Sequence, residues 1–201
     1  MLKVGITGGI GAGKSMVCKI FEVLGTPVYY ADEAAKKLMQ HNEKLRTELK
    51  LHFTNAVYEG DTLNRNYLSD LVFNNPEKRE LLNKIVHPYV IQDGIDWMNN
   101  QQSPYAIKEA ALIFESGSQA SLDHIIGVFA PNTLKIHRTI KRDRSTREEI
   151  MQKIESQIDD RIKMKLCDDV IINDEQHMLV HQVLAIHEKL CKMAVEKSND
   201  E

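Results

Sequence analysis

Residues 5–16 read "GITGGIGAGKSM" and join a short apolar run, Leu2–Thr7, to a helical pattern that starts at Lys14. Glycine this frequent destabilises an ordinary helix or strand, so its place between two regular elements needs a reason. From Gly8 the spacing is G-x-x-x-x-G-K-S, the pattern of a phosphate-binding loop. In such a loop successive backbone N–H groups point into one concavity, where a Cβ would intrude. We therefore predict that this segment binds the phosphates of a nucleotide.

The residues that follow the glycines strengthen this prediction. The helix that begins near Lys14 directs its unpaired N–H groups and its positive dipole end at the same anion. Lys14 would reach the β- and γ-phosphates, and the Ser15 hydroxyl would ligate Mg²⁺. A chance glycine-rich turn is the alternative, and the preceding strand, the following helix and the Lys-Ser pair all disfavour it.

The composition of the chain limits the classes of protein to which it can belong. The 201 residues are 42% hydrophobic and 27% charged, which is typical of a soluble globular protein. A net charge of −3 argues against a nucleic-acid partner. The three cysteines are scattered outside any metal spacing, which fits reduced thiols in a cytosol. With no secretory signal and no apolar run of about 18 residues, we expect a cytoplasmic protein with no membrane partner, and we favour a monomer.

Hydrophobic periodicity predicts an α/β fold. The strand Leu2–Thr7, the helix Lys14–Leu24 and the strand Val28–Tyr30 follow one another, and this βαβ unit calls for a parallel sheet. From 31 to 102 the pattern is almost wholly helical, with helix starts at Asn64 and Pro76, and it suggests a subdomain inserted over the sheet edge. The remaining elements are predicted as strands Tyr105–Ala110, His124–Ala130 and Asp169–Ile172 and helices Asn132–Asp143, Thr146–Leu166 and Gln176–Val195.

A phosphate-binding loop identifies a nucleotide site but leaves its use open, since GTPase switches, mechanical ATPases and small-molecule kinases all carry one. The basic segment "KIHRTIKRDRSTR", residues 135–147, favours a kinase, because arginines neutralise the charge that develops in phosphoryl transfer. We interpret this segment as a lid over the phosphates, with a solvated helix face as the alternative. A GTP switch needs an Asn-Lys-x-Asp motif, and the sequence contains none.

Several further stretches carry a resemblance to a known family. They are "LNRNYLSDLVF" (63–73), "PEKRELLNKIVHP" (76–88), "ALIFE" (111–115), "RTIKRD" (138–143) and "CDDVIIN" (167–173). In this order, and together with the glycine-rich loop, they resemble the dephospho-CoA kinase family. The resemblance implies that ATP donates its γ-phosphoryl group to the ribose 3′-hydroxyl of dephospho-CoA, with Mg²⁺ as cofactor. Another P-loop kinase, acting on a nucleoside monophosphate or a sugar, remains the alternative.

The resemblance also implies a three-layer P-loop α/β core with a parallel sheet, a helical CoA domain and a helical lid. Carried onto this sequence, it assigns the nucleotide-binding core to residues 1–30, 103–134 and 167–201. The helical acceptor subdomain would be 31–102, and the lid would be 135–166.

Individual site residues follow from the same resemblance. The loop residues that would hold the nucleotide phosphates are Gly8, Gly9, Gly11, Ala12, Gly13, Lys14, Ser15 and Met16. Asp32 would be the catalytic carboxylate, acting with Lys14 and Arg142. Arg142 and Asn173 would border the adenine, while Arg65 and His87 would lie on the acceptor side together with Asp32.

Three positions depart from the pattern common in the family. Tyr30 replaces the first acid of an Asp-Ala-Asp stretch, so Asp32 alone keeps a carboxylate there. Met16 stands where a threonine is common, and it can still donate its backbone N–H. Ala111 replaces a proline, a conformational difference that we expect to be harmless.

Some candidates also have a purely structural interpretation. Asp32 would serve as the N-cap of a helix from Glu33, a role compatible with catalysis. Arg65 would be a surface helix residue, and His87, which precedes a proline, would mark a helix junction.

Glu115 and a pair of histidines are further candidate metal ligands. Glu115 ends an apolar run and resembles an acid that holds Mg²⁺ through water. His177 and His181 lie four residues apart, but they lack the glutamate of a zinc-protease helix, so we predict no structural zinc.

Overall fold

The computed structural model describes residues 1–73, 75–143 and 146–200. In chain order its elements are β1 (Leu2–Thr7), α1 (Lys14–Val23), β2 (Val28–Tyr30), α2 (Ala31–His41), α3 (Glu43–Phe53), β3 (Tyr58–Glu59), β4 (Thr62–Leu63), α4 (Arg65–Phe73), α5 (Pro76–Asn99), β5 (Tyr105–Glu109), β6 (His124–Phe129), α6 (Asn132–Asp143), α7 (Arg147–Glu155), α8 (Asp160–Lys165), β7 (Asp169–Ile172) and α9 (Leu179–Asp200). Short 3₁₀ turns cover Asn55–Val57 and Ser118–Ser121.

Five strands form one parallel sheet in the order β2-β5-β1-β6-β7. The central strand β1 pairs on one side with β5, where Leu2 faces Tyr105, and on the other with β6, where Val4 faces His124. All five carboxyl ends therefore meet at one edge, where ligands bind in such sheets. The predicted α/β class with a parallel sheet is confirmed.

Both faces of the sheet are covered, which is why β1 is apolar along most of its length. On one face α1 and α9 pack against the sheet, and the buried residues there include Val4, Ile6, Val17, Phe21, Tyr105, Ile107, Val183 and Leu190. On the other face, the neighbouring segments lie very close to the strands. A Cβ on Gly5 would lie 2.6 Å from Leu122 Cδ1, and one on Gly127 would lie 2.6 Å from Met164 Sδ. The segment after β5 and helix α8 thus complete a three-layer arrangement.

The described chain forms two compact units, one of Met1–Tyr30 with the chain from Trp97 onward, and one of Ala31–Asp96. The second unit is helical around a core that includes Leu45, Leu49, Phe53 and Val57. Its helix α3 is capped by Asn42, whose side chain accepts a hydrogen bond from Leu45 N at 3.0 Å. The stretch predicted as almost wholly helical also contains the short hairpin β3–β4, which turns at Gly60 with a φ of 60°.

The predictions for two helices were wrong. The helix expected over Thr146–Leu166 is two helices, α7 and α8, separated at residues 156–159. The last helix begins at Leu179 rather than Gln176, since the Asp174 side chain accepts hydrogen bonds from the backbone N–H groups of residues 176 and 177 and holds them in a turn. Within the described ranges, no helix is long and apolar enough to cross a membrane.

Candidate active site

The glycine-rich loop leaves the central strand β1 and ends at the first turn of α1. Gly11 and Gly13 have φ values of 76° and 95°, in the left-handed region that favours glycine. A Cβ on Gly11 would lie 2.5 Å from the carbonyl oxygen of Lys135, and one on Gly13 would collide with the Asn173 side chain. The spacing of glycines is therefore required both by backbone conformation and by close neighbours.

Lys14 follows directly and folds back over the loop. Its Nζ donates a hydrogen bond to the Gly8 carbonyl oxygen at 3.1 Å and lies 3.7 Å from Glu109 Oε1. Glu109 is the last residue of β5, next to Ile6 of β1 in the register. The ammonium group is thus held at the carboxyl edge of the sheet by a loop carbonyl and a buried carboxylate.

The N-terminus of α1 points into the same loop. Gly13 is the N-cap of α1 and makes no side-chain capping hydrogen bond. Within the described chain, the first turn of α1 also has no acidic residue. Ser15 and Met16 are exposed there. The positive end of the helix dipole is therefore open to an anion.

Asn173, predicted as a nucleotide contact, lies beside the loop at the end of β7. Its Nδ2 donates to the Ala12 carbonyl oxygen at 2.8 Å, and its backbone N–H donates to the Phe129 carbonyl oxygen at 2.8 Å. Arg138 of α6 reaches the same residue, donating to the Asn173 carbonyl oxygen at 3.2 Å and to Glu175 Oε1 at 2.9 Å. Arg138 and Asn173 thus join α6 and β7 at the loop.

Arg142 lies one helical turn beyond Arg138 on α6, so the two guanidinium side chains share a helix face. Its guanidinium donates to both carboxylate oxygens of Asp143, at 2.6 Å and 2.9 Å, and it is largely exposed. This pairing lowers the pKa of Asp143. The predicted lid arginine is therefore on the face of α6 that carries Arg138, held by its chain neighbour.

The first residue of the basic segment does not lie on a solvated helix face. Lys135 is buried and forms an ion pair with Asp160 of α8. The pair lies against the loop, because a Cβ on Gly9 would be 2.7 Å from Asp160 Oδ1 and 3.0 Å from Lys135 Nζ. Next to it, Gln157 Oε1 accepts a hydrogen bond from Ile10 N at 3.3 Å. The first turn of α6 and the turn before α8 therefore contact the tip of the loop.

Glu115, predicted as an acid on Mg²⁺, lies in an ion pair. Its Oε1 is 2.8 Å from Lys163 Nζ, which is fully buried, and it accepts a hydrogen bond from Ile158 N at 3.1 Å. Its Oε2 is buried and has no hydrogen-bond partner among the described residues. The structure thus places Glu115 as a tie between the segment after β5 and the turn before α8.

Tyr30, the departure from the family pattern, ends β2. Burial raises the pKa of its phenol above the ordinary value of 10, and the neighbouring Cys18 and Glu22 add to the effect. The side chain is therefore a neutral hydroxyl, and it does not replace the missing carboxylate.

Three predicted residues lie in the helical unit. Asp32 is exposed and is the second residue of α2, so its interpretation as the N-cap of a helix from Glu33 was wrong. His87 is half-buried within α5, which continues through Pro88, so the proposed helix junction was also wrong.

Arg65 is the first residue of α4 and is exposed. It borders a cavity of about 350 Å³ whose other lining residues are Gln40, Glu59, Thr62, Leu63, Asn64 and Asn66. The cavity is polar, and Arg65 supplies a cation at its edge.

Sequence reasoning missed several residues that lie at the loop or next to its contacts. Glu109 carried a usable signal, because a carboxylate near the end of a predicted strand lies at the ligand-binding edge of a parallel sheet. Arg138 was part of the basic segment without being singled out. Gln157 and Asp160 carried no signal, since both fell inside a helix predicted as continuous.

Across the described residues, no three His, Cys, Asp or Glu side chains are grouped so as to hold a metal ion. Such a grouping is not needed for Mg²⁺ in a phosphoryl-transfer site, where substrate phosphates and water supply most ligands. The exposed Ser15 hydroxyl at the open helix end is an oxygen ligand of the kind that Mg²⁺ accepts, and the residues present therefore fit the ion.

Comparison with known proteins places these features in a family. Residues 2–178 match the family described as dephospho-CoA kinase. Relatives named dephospho-CoA kinase include one from Bacteroides fragilis (strain YCH46), 36% identical over 203 residues that cover 98% of this chain and 99% of the relative. Another, from Coxiella burnetii, is 35% identical and covers 96% of this chain and 99% of its own.

Solved structures show the same relationship. A protein from Thermus thermophilus superposes with a TM-score of 0.81 at 31% identity, covering 94% of this chain and 97% of that one. A dephospho-CoA kinase from Campylobacter jejuni gives a TM-score of 0.67 at 26% identity, with the same coverage of 94% and 97%. A shikimate kinase from Acinetobacter baumannii, with a TM-score of 0.57 at 11% identity and coverage of 96% and 94%, shares the fold.

Proposed function

The chain belongs to the dephospho-CoA kinase family, and we propose that it transfers the γ-phosphoryl group of ATP to the ribose 3′-hydroxyl of dephospho-CoA. The products are coenzyme A and ADP. The observation that carries this proposal is the family match over residues 2–178, which includes both the phosphate loop and the helical unit. Neither the alternative kinase substrates nor a GTP switch finds comparable support.

The phosphate loop would bind ATP through its backbone. The loop N–H groups and the open end of α1 favour the β- and γ-phosphates, with Lys14 as the cation that neutralises their charge. The geometry supports this role, since Lys14 is already held over the loop by Gly8 and Glu109. Little covalent chemistry is required of the protein, because phosphoryl transfer depends mainly on positioning and on charge stabilisation.

We propose that Mg²⁺ is held by the Ser15 hydroxyl together with phosphate oxygens of ATP. When bound, the ion neutralises charge on the β- and γ-phosphates and orients them for in-line transfer. The remaining contributions come from the side chains of the loop and from α6.

Asp32 is the proposed acceptor of the proton from the attacking 3′-hydroxyl. It follows β2 by two residues and is exposed in the first turn of α2. An aspartate carboxylate is a weak base toward a free alcohol. We therefore expect it to orient the hydroxyl and to take the proton late, once bond formation has made the hydroxyl acidic.

The remaining assignments concern the two subdomains, the other site residues, and the oligomeric state and location of the enzyme. We propose residues 31–102 as the acceptor subdomain, with Arg65 and His87 on the acceptor side, and 135–166 as the lid. Arg142 would neutralise the transferring phosphoryl group from the lid, and Asn173 would border the adenine. A monomeric, cytoplasmic enzyme is consistent with the composition of the chain.

An acceptor screen tests the proposed function directly. ADP release is followed with ATP and Mg²⁺ in the presence of dephospho-CoA, nucleoside monophosphates, shikimate or sugars, and the product is identified by mass spectrometry. We expect turnover with dephospho-CoA and addition of one phosphoryl group at the 3′ position. Turnover with another acceptor and none with dephospho-CoA would exclude the proposal.

A further inference from the structure

The tip of the phosphate loop is contacted by side chains that lie far away in the sequence. Lys135 comes from the first turn of α6, while Gln157 and Asp160 come from the break between α7 and α8. We call these three residues the loop brace. Sequence analysis missed the contacts of Gln157 and Asp160 because the break was predicted as helix.

Each brace residue has a defined contact. The Lys135–Asp160 ion pair lies against Gly9, with two of its atoms within 3.0 Å of the position that a Cβ would occupy there. Gln157 Oε1 accepts the hydrogen bond of the Ile10 N–H at 3.3 Å. Residues 9 and 10 of the loop are thus bordered by a buried ion pair and tied by a side-chain amide.

The brace is itself anchored to the rest of the nucleotide-binding unit. The Lys135 side chain is 1% exposed, and that of Asp160 is 16% exposed. Between Gln157 and Asp160, Ile158 N donates to Glu115 Oε1 at 3.1 Å. The turn that carries the brace is therefore fixed from the sheet side as well as from the loop side.

A glycine-rich loop needs such support for a physical reason. Glycine has more backbone freedom than any other residue, so an unsupported loop loses more entropy when it closes around phosphate. Contacts that hold the loop near its bound conformation in the free protein reduce that loss and raise affinity. Because Lys135 is buried and neutralised by Asp160, it serves this purpose through position rather than as a free cation for phosphate.

We propose that Lys135, Gln157 and Asp160 are positioning residues that hold the tip of the phosphate loop ready for ATP. The inference rests on the proposed function in one respect, namely that the loop binds ATP, and it is independent of the identity of the acceptor.

The test uses Lys135→Met, Asp160→Asn and Gln157→Leu in the full chain. The dissociation constant of ATP with Mg²⁺ is measured by calorimetry without acceptor, beside kcat and the KM of each substrate. We expect each variant to raise the ATP dissociation constant and KM about tenfold, below the roughly 10²-fold loss that misplaced catalytic groups can cause. The KM of dephospho-CoA should change less than twofold, and amide hydrogen exchange of residues 8–13 should accelerate in the free protein.

The direction in which each of the two charge variants changes the ATP dissociation constant is decisive. A positioning role predicts weaker ATP binding for both Lys135→Met and Asp160→Asn. A through-space effect predicts opposite changes, because one variant leaves a negative charge beside the loop and the other a positive charge, and that result would overturn the proposal. So would a lower melting temperature with unchanged ATP affinity, which indicates a role in stability alone.

Two controls complete the design. Lys197→Met breaks a 2.8 Å ion pair with Asp123 in the same unit, away from the loop, and should leave ATP affinity unchanged. Gln157→Leu keeps the ion pair and removes only the acceptor of the Ile10 N–H, so it tests the brace even where a charge variant does not fold. If the wild-type chain binds ATP but does not phosphorylate dephospho-CoA, the proposed function fails while the brace remains testable by ATP binding.

Discussion

Lys14 forms a largely buried ion pair and also lies at the end of the phosphate loop. One substitution removes both roles, and adding a second substitution separates them. Its ammonium lies 3.7 Å from the Glu109 carboxylate, and the two side chains are only 11% and 8% exposed. It also stands at the end of the phosphate loop, where it would meet the β- and γ-phosphates of ATP. Lys14→Met removes the charge and keeps a long unbranched side chain, so packing changes little.

The effect on stability follows from the ion pair. At an effective dielectric constant of about 20, two unit charges 3.7 Å apart attract each other by about 4 kcal/mol. Part of this is offset, since methionine spares the cost of taking the Lys14 ammonium out of water, and we expect a net loss of about 2 kcal/mol. For a chain of this size, such a loss lowers Tm by about 4–8 °C.

The effect on catalysis is larger. Removing one preorganised group that stabilises charge in the transition state reduces kcat by about 10²–10³-fold. The assay is ADP release with saturating dephospho-CoA and ATP with Mg²⁺, at a temperature well below the Tm of the variant. Urea unfolding of the same preparation gives the stability change independently.

The double variant Lys14→Met/Glu109→Gln separates the two roles. With both charges removed, no buried charge remains from the Lys14–Glu109 pair. Most of the stability lost in Lys14→Met should therefore return, while activity stays low. A Lys14→Met enzyme within tenfold of wild-type activity would refute the assignment of the loop. A double variant that regains activity together with stability would show that the kinetic defect arises from unfolding.

Three further predictions concern other parts of the molecule. Asp32→Asn should lower kcat by about 10²–10⁴-fold with little change in either KM, and a near-normal kcat in steady-state assays would remove its catalytic role. Tyr105→Phe deletes a hydroxyl that is 2.6 Å from His187 Nδ1 and also accepts a threonine hydrogen bond, so urea unfolding should show a loss of about 1–3 kcal/mol, and an unchanged midpoint would contradict this. The backbone N–H groups of His177 and its neighbour lower the pKa of Asp174 to about 2, and a lowered pKa in the folded state contributes stability that is lost as pH falls from about 4 to about 2. Asp174→Asn should flatten that part of the pH–stability curve, and an unchanged slope would show that Asp174 does not contribute to it.

The parts of the fold that were predictable from sequence are those fixed by local pattern. Strand β1 and strand β2 were predicted with the bounds observed, and so was the start of α1 at Lys14. Their signals are an apolar run, a short β-branched and aromatic run, and the spacing of glycines. Each depends on neighbouring residues, so no distant partner had to be known.

The α7–α8 region shows why other parts were not predictable. Ile150, Ile154, Ile158 and Ile162 recur every four residues, which predicts one continuous helical face. In the structure Ile150 is buried and Ile162 is 56% exposed, because the chain breaks between them. The partners that stabilise the break lie in the phosphate loop and in the segment after β5, more than forty residues away. A periodicity within the segment carries no information about them.

The basic segment shows that the same limit applies when the contacts of a site residue are predicted from sequence. Its charge pattern indicates a cationic face, and the exposed Arg142 conforms to that interpretation. Lys135 does not, since its carboxylate partner lies 25 residues further along the chain. The charge of a residue is readable in sequence, whereas its neutralisation by a distant partner is not.

The placement of β1 at the centre of the sheet has a consequence for synthesis on the ribosome. Both neighbours of β1 lie about a hundred residues downstream, since Leu2 faces Tyr105 and Val4 faces His124. At about 5–20 residues per second, β1 waits for roughly 5–20 s with both hydrogen-bonding edges unpaired. The helical unit, Ala31–Asp96, is synthesised during that interval. A nascent chain from which the residues beyond 104 have not yet emerged would therefore expose an apolar strand without its neighbours, which is the form a chaperone would meet.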